Sequence, residues 1–196
     1  MATTELKNIF LSASIPLPER DPQYYETADL IAIRDCVIAL ATIALPKCRL
    51  VWGGHPSITP LIYYVLKKMD VNIKEHVILF QSRYFEKYFP NDNAKFNNLI
   101  LTENLGEKLS SLKLMRETML ESFEFKAGIF IGGMDGVEEE YKLFIKYQPE
   151  ALILPIASTG AAAKKIYENC MKDLDEQFVK NYAYMSLFQN YLIDKI

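Results

Sequence analysis

Residues 128–140 read Gly-Ile-Phe-Ile-Gly-Gly-Met-Asp-Gly-Val-Glu-Glu-Glu, an apolar run followed by a glycine-rich turn and an acidic stretch. This order predicts a strand, a tight turn and a helix, which together present backbone N–H groups and a positive helix end to an anion. The turn lacks the Gly-Lys-Ser/Thr ending of a Walker loop and the Gly-x-Gly-x-x-Gly of a dinucleotide fold, since acids follow its last glycine. We therefore expect phosphate binding without ATP hydrolysis.

Short apolar runs alternate with longer helical patterns on both sides of this stretch. Strands are predicted at residues 8–12, 49–52, 76–80, 98–101, 127–131 and 151–154, and helices at 28–45, 58–69, 109–123 and 137–147. A turn cluster at residues 90–93 predicts an excursion between the third and fourth strands. The alternation indicates an α/β fold, a Rossmann-like doubly wound and mainly parallel sheet with helices on both faces.

The tail, about residues 173–196, is predicted to be a C-terminal helix. Its apolar residues at helical spacing either cover the sheet or form a dimer face, and an additional set of aromatic residues favours pairing, because aromatics and Met are enriched at interfaces. The first set is Phe178, Tyr182, Met185 and Leu192, and the second is Tyr184, Phe188 and Tyr191. We expect a homo-oligomer.

Composition indicates an average globular protein. The chain has 196 residues, 50% hydrophobic and 24% charged, with a net charge of −3, so we expect one domain over residues 1–196 and no broad surface for a nucleic acid polymer. Three scattered cysteines, interpreted as packing residues, favour a reducing compartment. Residues 1–7 show no secretory signal, and the longest apolar run, residues 36–46, is too short to span a bilayer. A cytoplasmic protein without membrane partners is expected.

Three other predicted strands also end in small or hydroxyl residues. The first is followed by Ser-Ala-Ser-Ile-Pro, the second by Gly-Gly-His-Pro-Ser, and the sixth by Pro-Ile-Ala-Ser-Thr-Gly. Pro60 places the helix start near Ser57, which is predicted to be its N-cap. Each turn alone is typical of ordinary loops, but parallel strands end at one edge, where ligands bind. The predicted ligand-binding residues are Ser12, Ser14, Gly53, Gly54, His55, Ser57, Gly132, Gly133, Met134, Gly136, Ser158 and Thr159.

Glu140 differs from the two acids before it. It shares a helix face with apolar Val137, where a carboxylate is costly unless it has a partner or a function, whereas Glu138 is predicted to pair with Lys142 toward solvent. No His, Cys or Asp cluster has metal-ligand spacing, so no metal and no cofactor are expected. No Gly-x-Ser-x-Gly elbow is present.

The Met-Arg-Glu-Thr-Met sequence at residues 115–119, together with residues 128–140, resembles the SLOG superfamily. That superfamily includes cytokinin-activating phosphoribohydrolases, whose pattern is Pro-Gly-Gly-x-Gly-Thr-x-x-Glu preceded by a helix that contains an arginine. Residues 10–14 and 53–60 look like the SLOG branches associated with bacterial conflict and nucleotide signalling. The resemblance implies a Rossmann-like fold and extends from about residue 9 to residue 163.

By position, the resemblance implies that Gly132, Gly133 and Gly136 hold phosphate, that Glu140 is the ribose-contacting or catalytic acid, and that Arg116 is the family's arginine. Several residues depart from the enzyme pattern, and they weaken an assignment as a phosphoribohydrolase. Isoleucine stands in place of the proline, Met-Asp makes the turn one residue longer, valine replaces the threonine, and glutamate replaces the lysine that follows the arginine.

The sequence therefore predicts a sensor for a nucleotide-derived ligand, such as a cyclic nucleotide or an ADP-ribose-like signal in bacterial defence. A first alternative is an N-glycosidic hydrolase acting on a nucleotide, in which Glu140 stabilises an oxocarbenium-like ribose and Arg116 holds phosphate. A second alternative is an interaction module whose pocket is vestigial.

Overall fold

The computed structural model describes residues 6–69, 75–171 and 173–196, and its centre is a six-stranded parallel sheet. Within the described residues the spatial order is β4-β3-β2-β1-β5-β6, and every neighbouring pair is parallel. The strands are β1 (Lys7–Ser14), β2 (Cys48–Trp52), β3 (Val77–Ser82), β4 (Asn98–Thr102), β5 (Phe125–Gly132) and β6 (Leu152–Ile156). The predicted fold class and all six predicted strands are confirmed.

Helices connect the strands and cover both faces. They are α1 (Pro22–Tyr25), α2 (Leu30–Ala44), α3 (Thr59–Leu66), α4 (Lys108–Glu121), α5 (Asp135–Tyr147), α6 (Ala161–Cys170), α7 (Gln177–Lys180) and α8 (Tyr184–Phe188). Two 3₁₀ segments, Arg83–Tyr88 and Asn91–Lys95, form the predicted excursion between β3 and β4. Asp29 caps α2, since its side chain accepts a hydrogen bond from the Ala32 amide at 2.9 Å.

Successive strand residues point to opposite faces and so build two apolar layers. In β1, Ile9 and Leu11 pack in one layer with α2, α3 and α8, while Phe10 packs in the other with α4, α5 and α6. The ring of Phe10 stacks on Phe144 of α5 with centroids 5.1 Å apart. The layers hold α5 against β1 and β5, which fixes the position of the helix that follows the glycine turn.

The C-terminal tail is not the continuous helix predicted from its periodicity. It consists of α7, α8 and a π-helical segment, Gln189–Ile193. The break follows from Asn181, which has extended backbone and whose side-chain oxygen accepts a hydrogen bond from the Ala183 amide at 2.7 Å. Tyr184 and Phe188 are buried within the chain, in the layer that contains α2, so they are not available as a dimer face.

Cysteine packing also differs from the prediction at one position. Cys36 and Cys48 are buried as expected, but Cys170, the last residue of α6, is exposed. None of the helices in the described ranges has the length and apolar character needed to cross a membrane.

Candidate functional site

The candidate site lies at the carboxyl edge of the sheet, where β1 and β5 are neighbours. From β1 the chain builds the sheet outward through β2, β3 and β4, and it returns to the other side of β1 as β5. Such a reversal leaves a crevice beyond the strand ends, the usual ligand position in open α/β sheets. Ser14 pairs in register with Gly132, so the last residues of both strands line this crevice.

Glu140 is the centre of a polar network at this edge. Its Oε2 accepts a hydrogen bond from the Ser12 hydroxyl at 2.6 Å, and its Oε1 accepts one from Arg116 Nε at 3.1 Å. The side chains of Glu140 and Arg116 are each only 15% exposed. The carboxylate on the inward side of α5 therefore has partners from β1 and α4, as its position in the sequence required.

Two glycines bring the backbone close to this network. A Cβ atom on Gly53, in the turn after β2, would lie 3.9 Å from Glu140 Oε1 and 3.1 Å from the Met115 methyl group. A Cβ atom on Gly136 would lie 3.1 Å from Arg116 Nη2, which also donates to the Gly136 carbonyl at 3.4 Å. Side chains at these positions would crowd the space above the carboxylate and the guanidinium.

The amides of Gly132 and Gly133, expected to hold phosphate, are bonded within the protein. The Gly132 amide donates to Thr159 Oγ1 at 2.8 Å, and the Gly133 amide donates to the Ser14 carbonyl at 2.8 Å. Both residues have positive φ, +55° and +85°, which explains the requirement for glycine. These glycines shape the turn, and in this conformation their amides are already paired within the protein, so the predicted contact with phosphate stays a prediction that would need the turn to rearrange.

Unpaired amides occur further along the chain, in the first turn of α5. Met134 is the N-cap without a side-chain cap bond, and its side chain is buried in the apolar layer. The amides of Asp135 and Gly136 have no hydrogen-bond partner among the residues that the structure describes, as is usual for the first turn of a helix. Of the predicted glycines, Gly136 is therefore the one whose amide is available.

The turn after β2 brings His55 and Ser57 to the same edge. Ser57 is not the helix cap, because α3 begins at Thr59 after Ile58; its hydroxyl contacts His55 Nδ1 at 2.7 Å and accepts from the Ile15 amide at 3.4 Å. The Ser57 amide donates to the same Nδ1, so the proton of the neutral ring is on Nε2. Burial, then the nearby Arg20 charge, lower the pKa of His55 to about 4.

Three other predicted contacts are used inside the protein. A Cβ atom on Gly54 would lie 1.7 Å from Gln81 Nε2, so this side-chain amide already occupies the space beside that glycine. Thr159 is fully buried and supports the Gly132 amide. The hydroxyl of Ser158 contacts the Asn181 carbonyl and the Tyr184 hydroxyl in the tail, and it is not part of the crevice network.

The acids before Glu140 pair differently from the prediction. Lys142 binds Glu139 at 2.7 Å rather than Glu138, whose Oε1 instead accepts a hydrogen bond from the Tyr24 hydroxyl at 2.8 Å. Burial, with the Glu138 carboxylate, raises the pKa of Tyr24, which keeps it a donor. This contact fixes α1 to α5.

Arg20 is a residue at this edge that the sequence did not reveal. It lies in the loop after β1, and its Nη2 is 3.3 Å from Asp135 Oδ1 at the start of α5. The available signal in the sequence was a basic residue a few positions after the predicted first strand. Its partner Asp135 lies 115 residues later in the chain, so local pattern does not connect the two.

Two cavities in the part of the chain that the structure describes lie away from the crevice. One of about 400 Å³ is lined by Lys7 and Cys48, which begin β1 and β2 at the opposite edge. Another of about 220 Å³ lies between α2 and α3, beside Thr42 and Val65. Neither contains a group of the crevice network, and the described residues hold no group of three or more His, Cys, Asp or Glu side chains placed for a metal ion.

Comparison with known proteins places the chain in a family. The X-ray structure of TM1055, a structural genomics target, is similar with a TM-score of 0.59 and 12% sequence identity, covering 89% of each chain, which shows the shared fold alone. A comparison of the chain with curated proteins found no match. The model of the SLOG cluster3 family matches residues 23–192, which include Arg116, the glycine turn and Glu140. The chain belongs to the SLOG cluster3 family.

Proposed function

We propose that this domain binds a nucleotide-derived ligand in the crevice beyond β1, β2 and β5, and that it acts as a ligand sensor. The observation that carries the proposal is the Glu140 carboxylate, held by Ser12 and Arg116 at the switch point of the sheet. Membership of a SLOG family supports a ligand of nucleotide type.

The network suits a ribose because it is oriented before the ligand arrives. A carboxylate has about four lone-pair sites, and Ser12 and Arg116 use one on each oxygen of Glu140, so acceptor capacity is left for hydroxyl groups. Fixing the side chain in advance lowers the entropic cost of binding. The absence of a side chain at Gly53 lets the backbone after β2 approach the carboxylate, since a Cβ atom there would lie 3.9 Å from Glu140 Oε1.

Donors for the phosphate part of a nucleotide are available in the turns after β5 and β2. The first-turn amides of Asp135 and Gly136 are unpaired within the described structure, and they lie at the positive end of α5. His55 is neutral at physiological pH and carries its proton on Nε2, so it can donate one hydrogen bond without adding charge.

A nucleotide N-glycosidic hydrolase is the second candidate. The observation in its favour is the 3.1 Å contact between Arg116 and Glu140, the two residues that the resemblance to phosphoribohydrolases assigns to catalysis. In that reaction the carboxylate would stabilise positive charge developing on the ribose.

Glu140→Gln separates these functions, with Glu139→Gln as a matched control on the exposed side of α5. AMP, ADP-ribose, NAD and a cyclic dinucleotide are tested by thermal shift and calorimetry, and the products by chromatography. For a sensor, we expect one nucleotide to stabilise the wild type, Glu140→Gln to weaken its binding by about 0.5–3 kcal/mol, and the control to bind normally.

The hydrolase makes the opposite prediction for the same variant. Binding would remain, whereas base release by the wild type would fall on the order of a hundredfold or more in Glu140→Gln. Release of free base that depends on Glu140 would overturn the sensor proposal. If no nucleotide raises the melting temperature, both functions are contradicted and an interaction module with a vestigial pocket remains.

Gly53→Ala tests the location of the site. The added methyl group would contact the flexible end of Met115 and reach into the space beside Glu140, so we expect weaker nucleotide binding with little loss of stability. Unchanged binding would show that the ligand does not use this space.

A further inference from the structure

An ion pair crosses the crevice outside the Glu140 network. Arg20 comes from the loop after β1, and Asp135 is the first residue of α5, after β5. Nη2 of the arginine lies 3.3 Å from Oδ1 of the aspartate, and the side chains are 51% and 69% exposed. The pair therefore joins the two segments that leave the sheet at its switch point.

The loop that carries Arg20 also contacts the turn after β2, since the Ile15 amide donates to the Ser57 hydroxyl at 3.4 Å. Besides burial, the charge of Arg20 contributes to lowering the pKa of His55 in that turn, and its Nη2 contacts Asp135 at the start of α5. The unpaired amide of Gly136 directly follows Asp135. A cation, a neutral N–H donor and a helix amide thus lie around one part of the crevice.

The chain after Arg20 is anchored independently of this ion pair. The Tyr24 hydroxyl donates to Glu138 of α5 at 2.8 Å, and Lys165 of α6 donates to the Gln23 side chain at 2.5 Å. Lys165 also lies 4.0 Å above the Tyr24 ring. Opening the ion pair would leave α1 in place, so the guanidinium would remain at the crevice.

The exposure of both side chains indicates that a ligand anion can replace Asp135 as the partner of Arg20. An ion pair between exposed side chains is weak and is screened by salt. An arginine binds a phosphate through two parallel hydrogen bonds, which a single contact to one aspartate oxygen does not match. Asp135 is also part of the dipeptide that makes the turn one residue longer than the enzyme pattern described above.

We propose that Arg20 is the phosphate-binding side chain of this site and that Asp135 is an internal competitor, which occupies Arg20 until a phosphate group displaces it. This inference rests on the proposed function and adds a specificity determinant to it. Asp135 selects against weakly charged ligands, because a ligand must offer Arg20 a stronger anion than the aspartate.

The competition predicts opposite effects from the two partners. Arg20→Ala removes the phosphate contact and should weaken binding, whereas Asp135→Asn removes the competitor and should strengthen it. If the ion pair only fixed the position of the loop after β1, both substitutions would break the same contact and would change binding in the same direction. A gain from Asp135→Asn that is lost in an Arg20→Ala background identifies the competitor, because a competitor acts only through Arg20, whereas simple charge repulsion would persist there.

Calorimetry with ADP-ribose and with inorganic pyrophosphate provides the test. We expect Arg20→Ala to weaken binding of both probes by about tenfold or more, the size of one lost charge-assisted contact, and Asp135→Asn to strengthen it severalfold. The control is Lys180→Ala with Glu176→Gln, an exposed pair in the tail whose side chains are 67% and 66% exposed. It should leave binding unchanged.

A second readout needs no ligand. Because the Arg20 charge depresses the imidazole pKa, Arg20→Ala should raise the pKa of His55 measured by NMR titration, and the Lys180→Ala control should not. An unchanged His55 pKa would show that Arg20 does not face the crevice, which overturns the inference.

Failure of this inference can be distinguished from failure of the proposed function. Binding of ADP-ribose that requires Glu140 but is equal in the wild type, Arg20→Ala and Asp135→Asn overturns the competitor role and leaves the sensor proposal intact. Loss of affinity in both variants also overturns it. If neither probe binds the wild type or any variant, the assignment of Arg20 is overturned. The proposed function is then decided by whether AMP, NAD or a cyclic dinucleotide binds.

Discussion

The contact between Glu140 and Arg116 should stabilise the fold measurably, even without ligand. Each side chain is 15% exposed, so water screens this pair less than the other ion pairs in the described structure, and removing one partner leaves a shielded charge. In Glu140→Gln the amide keeps one acceptor, but its NH₂ group must face either the arginine or the Ser12 hydroxyl. The serine can rotate to accept, whereas the arginine cannot.

The expected magnitude follows from the bonds that change. Charge-assisted hydrogen bonds contribute about 1.5–3 kcal/mol and neutral ones about 0.5–1.5, so Glu140→Gln should lower the free energy of unfolding by about 1–2 kcal/mol. For a domain of this size, about 1 kcal/mol corresponds to roughly 2–4 °C, which predicts a melting temperature lower by about 2–8 °C. Arg116→Met should cost more, because it leaves a carboxylate with a single neutral donor.

A double-mutant cycle in urea measures the pair itself. Glu140→Gln, Arg116→Met and the double variant should show a coupling of about 0.5–3 kcal/mol, since residues in direct contact are not additive. Glu139→Gln is the control, because its partner Lys142 is on the exposed side of the same helix and such changes stay within about 0.5 kcal/mol. If Glu140→Gln were as stable as this control, or if the two single changes were additive, the stabilising network would be refuted.

Three further predictions concern the turn, pH and assembly. Gly133→Ala should lower the free energy of unfolding by more than Gly106→Ala, because both have φ near +85° but only the first added Cβ meets a side chain, at 2.2 Å; equal losses in urea unfolding would contradict this. Since the folded pKa of His55 is about 4 and the unfolded value is 6.5, its contribution to stability should be present above pH 6.5 and lost as pH falls toward 4, by no more than about 3 kcal/mol. His55→Gln should remove this acid sensitivity, and an unchanged pH profile would refute the burial of the ring. We still expect an oligomer through exposed Tyr182 and Met185, and light scattering that gives a monomer mass at tens of micromolar would contradict it.

The sheet was predictable because buried parallel strands are nearly continuous apolar runs. The run at residues 127–131 is the centre of β5, and its neighbours follow the same rule. Strand ends were less accurate: β1 continues to Ser14 because it pairs with β5 as far as Gly132, a long-range contact that local composition does not contain. Element type follows from local pattern, while element length depends on the partner strand.

The tail shows a different limit. Helical spacing of apolar residues predicted one helix, but spacing takes no account of a side chain that accepts a hydrogen bond from the nearby backbone, as Asn181 Oδ1 does from the Ala183 amide. The break turns Tyr184 and Phe188 into the core and leaves Tyr182 exposed. The aromatic surplus that suggested an interface is thus partly a packing requirement of the chain itself.

At the candidate site, the amides of Gly132 and Gly133 are not among the groups left for recognition. The sequence predicted a phosphate cradle from Gly132 and Gly133, but a buried N–H group needs a partner, and in the described structure Thr159 and the Ser14 carbonyl supply it. The loops after β1, β5 and β6, whose amides the sequence suggests are free, are therefore joined to each other by hydrogen bonds. What faces the crevice instead is the oriented carboxylate of Glu140 with its neighbouring donors, and an oriented side chain can discriminate between ligands where a backbone cradle accepts any phosphate. Ligand selectivity in this chain should accordingly change with single side-chain substitutions at this edge, while the glycines control whether the edge forms.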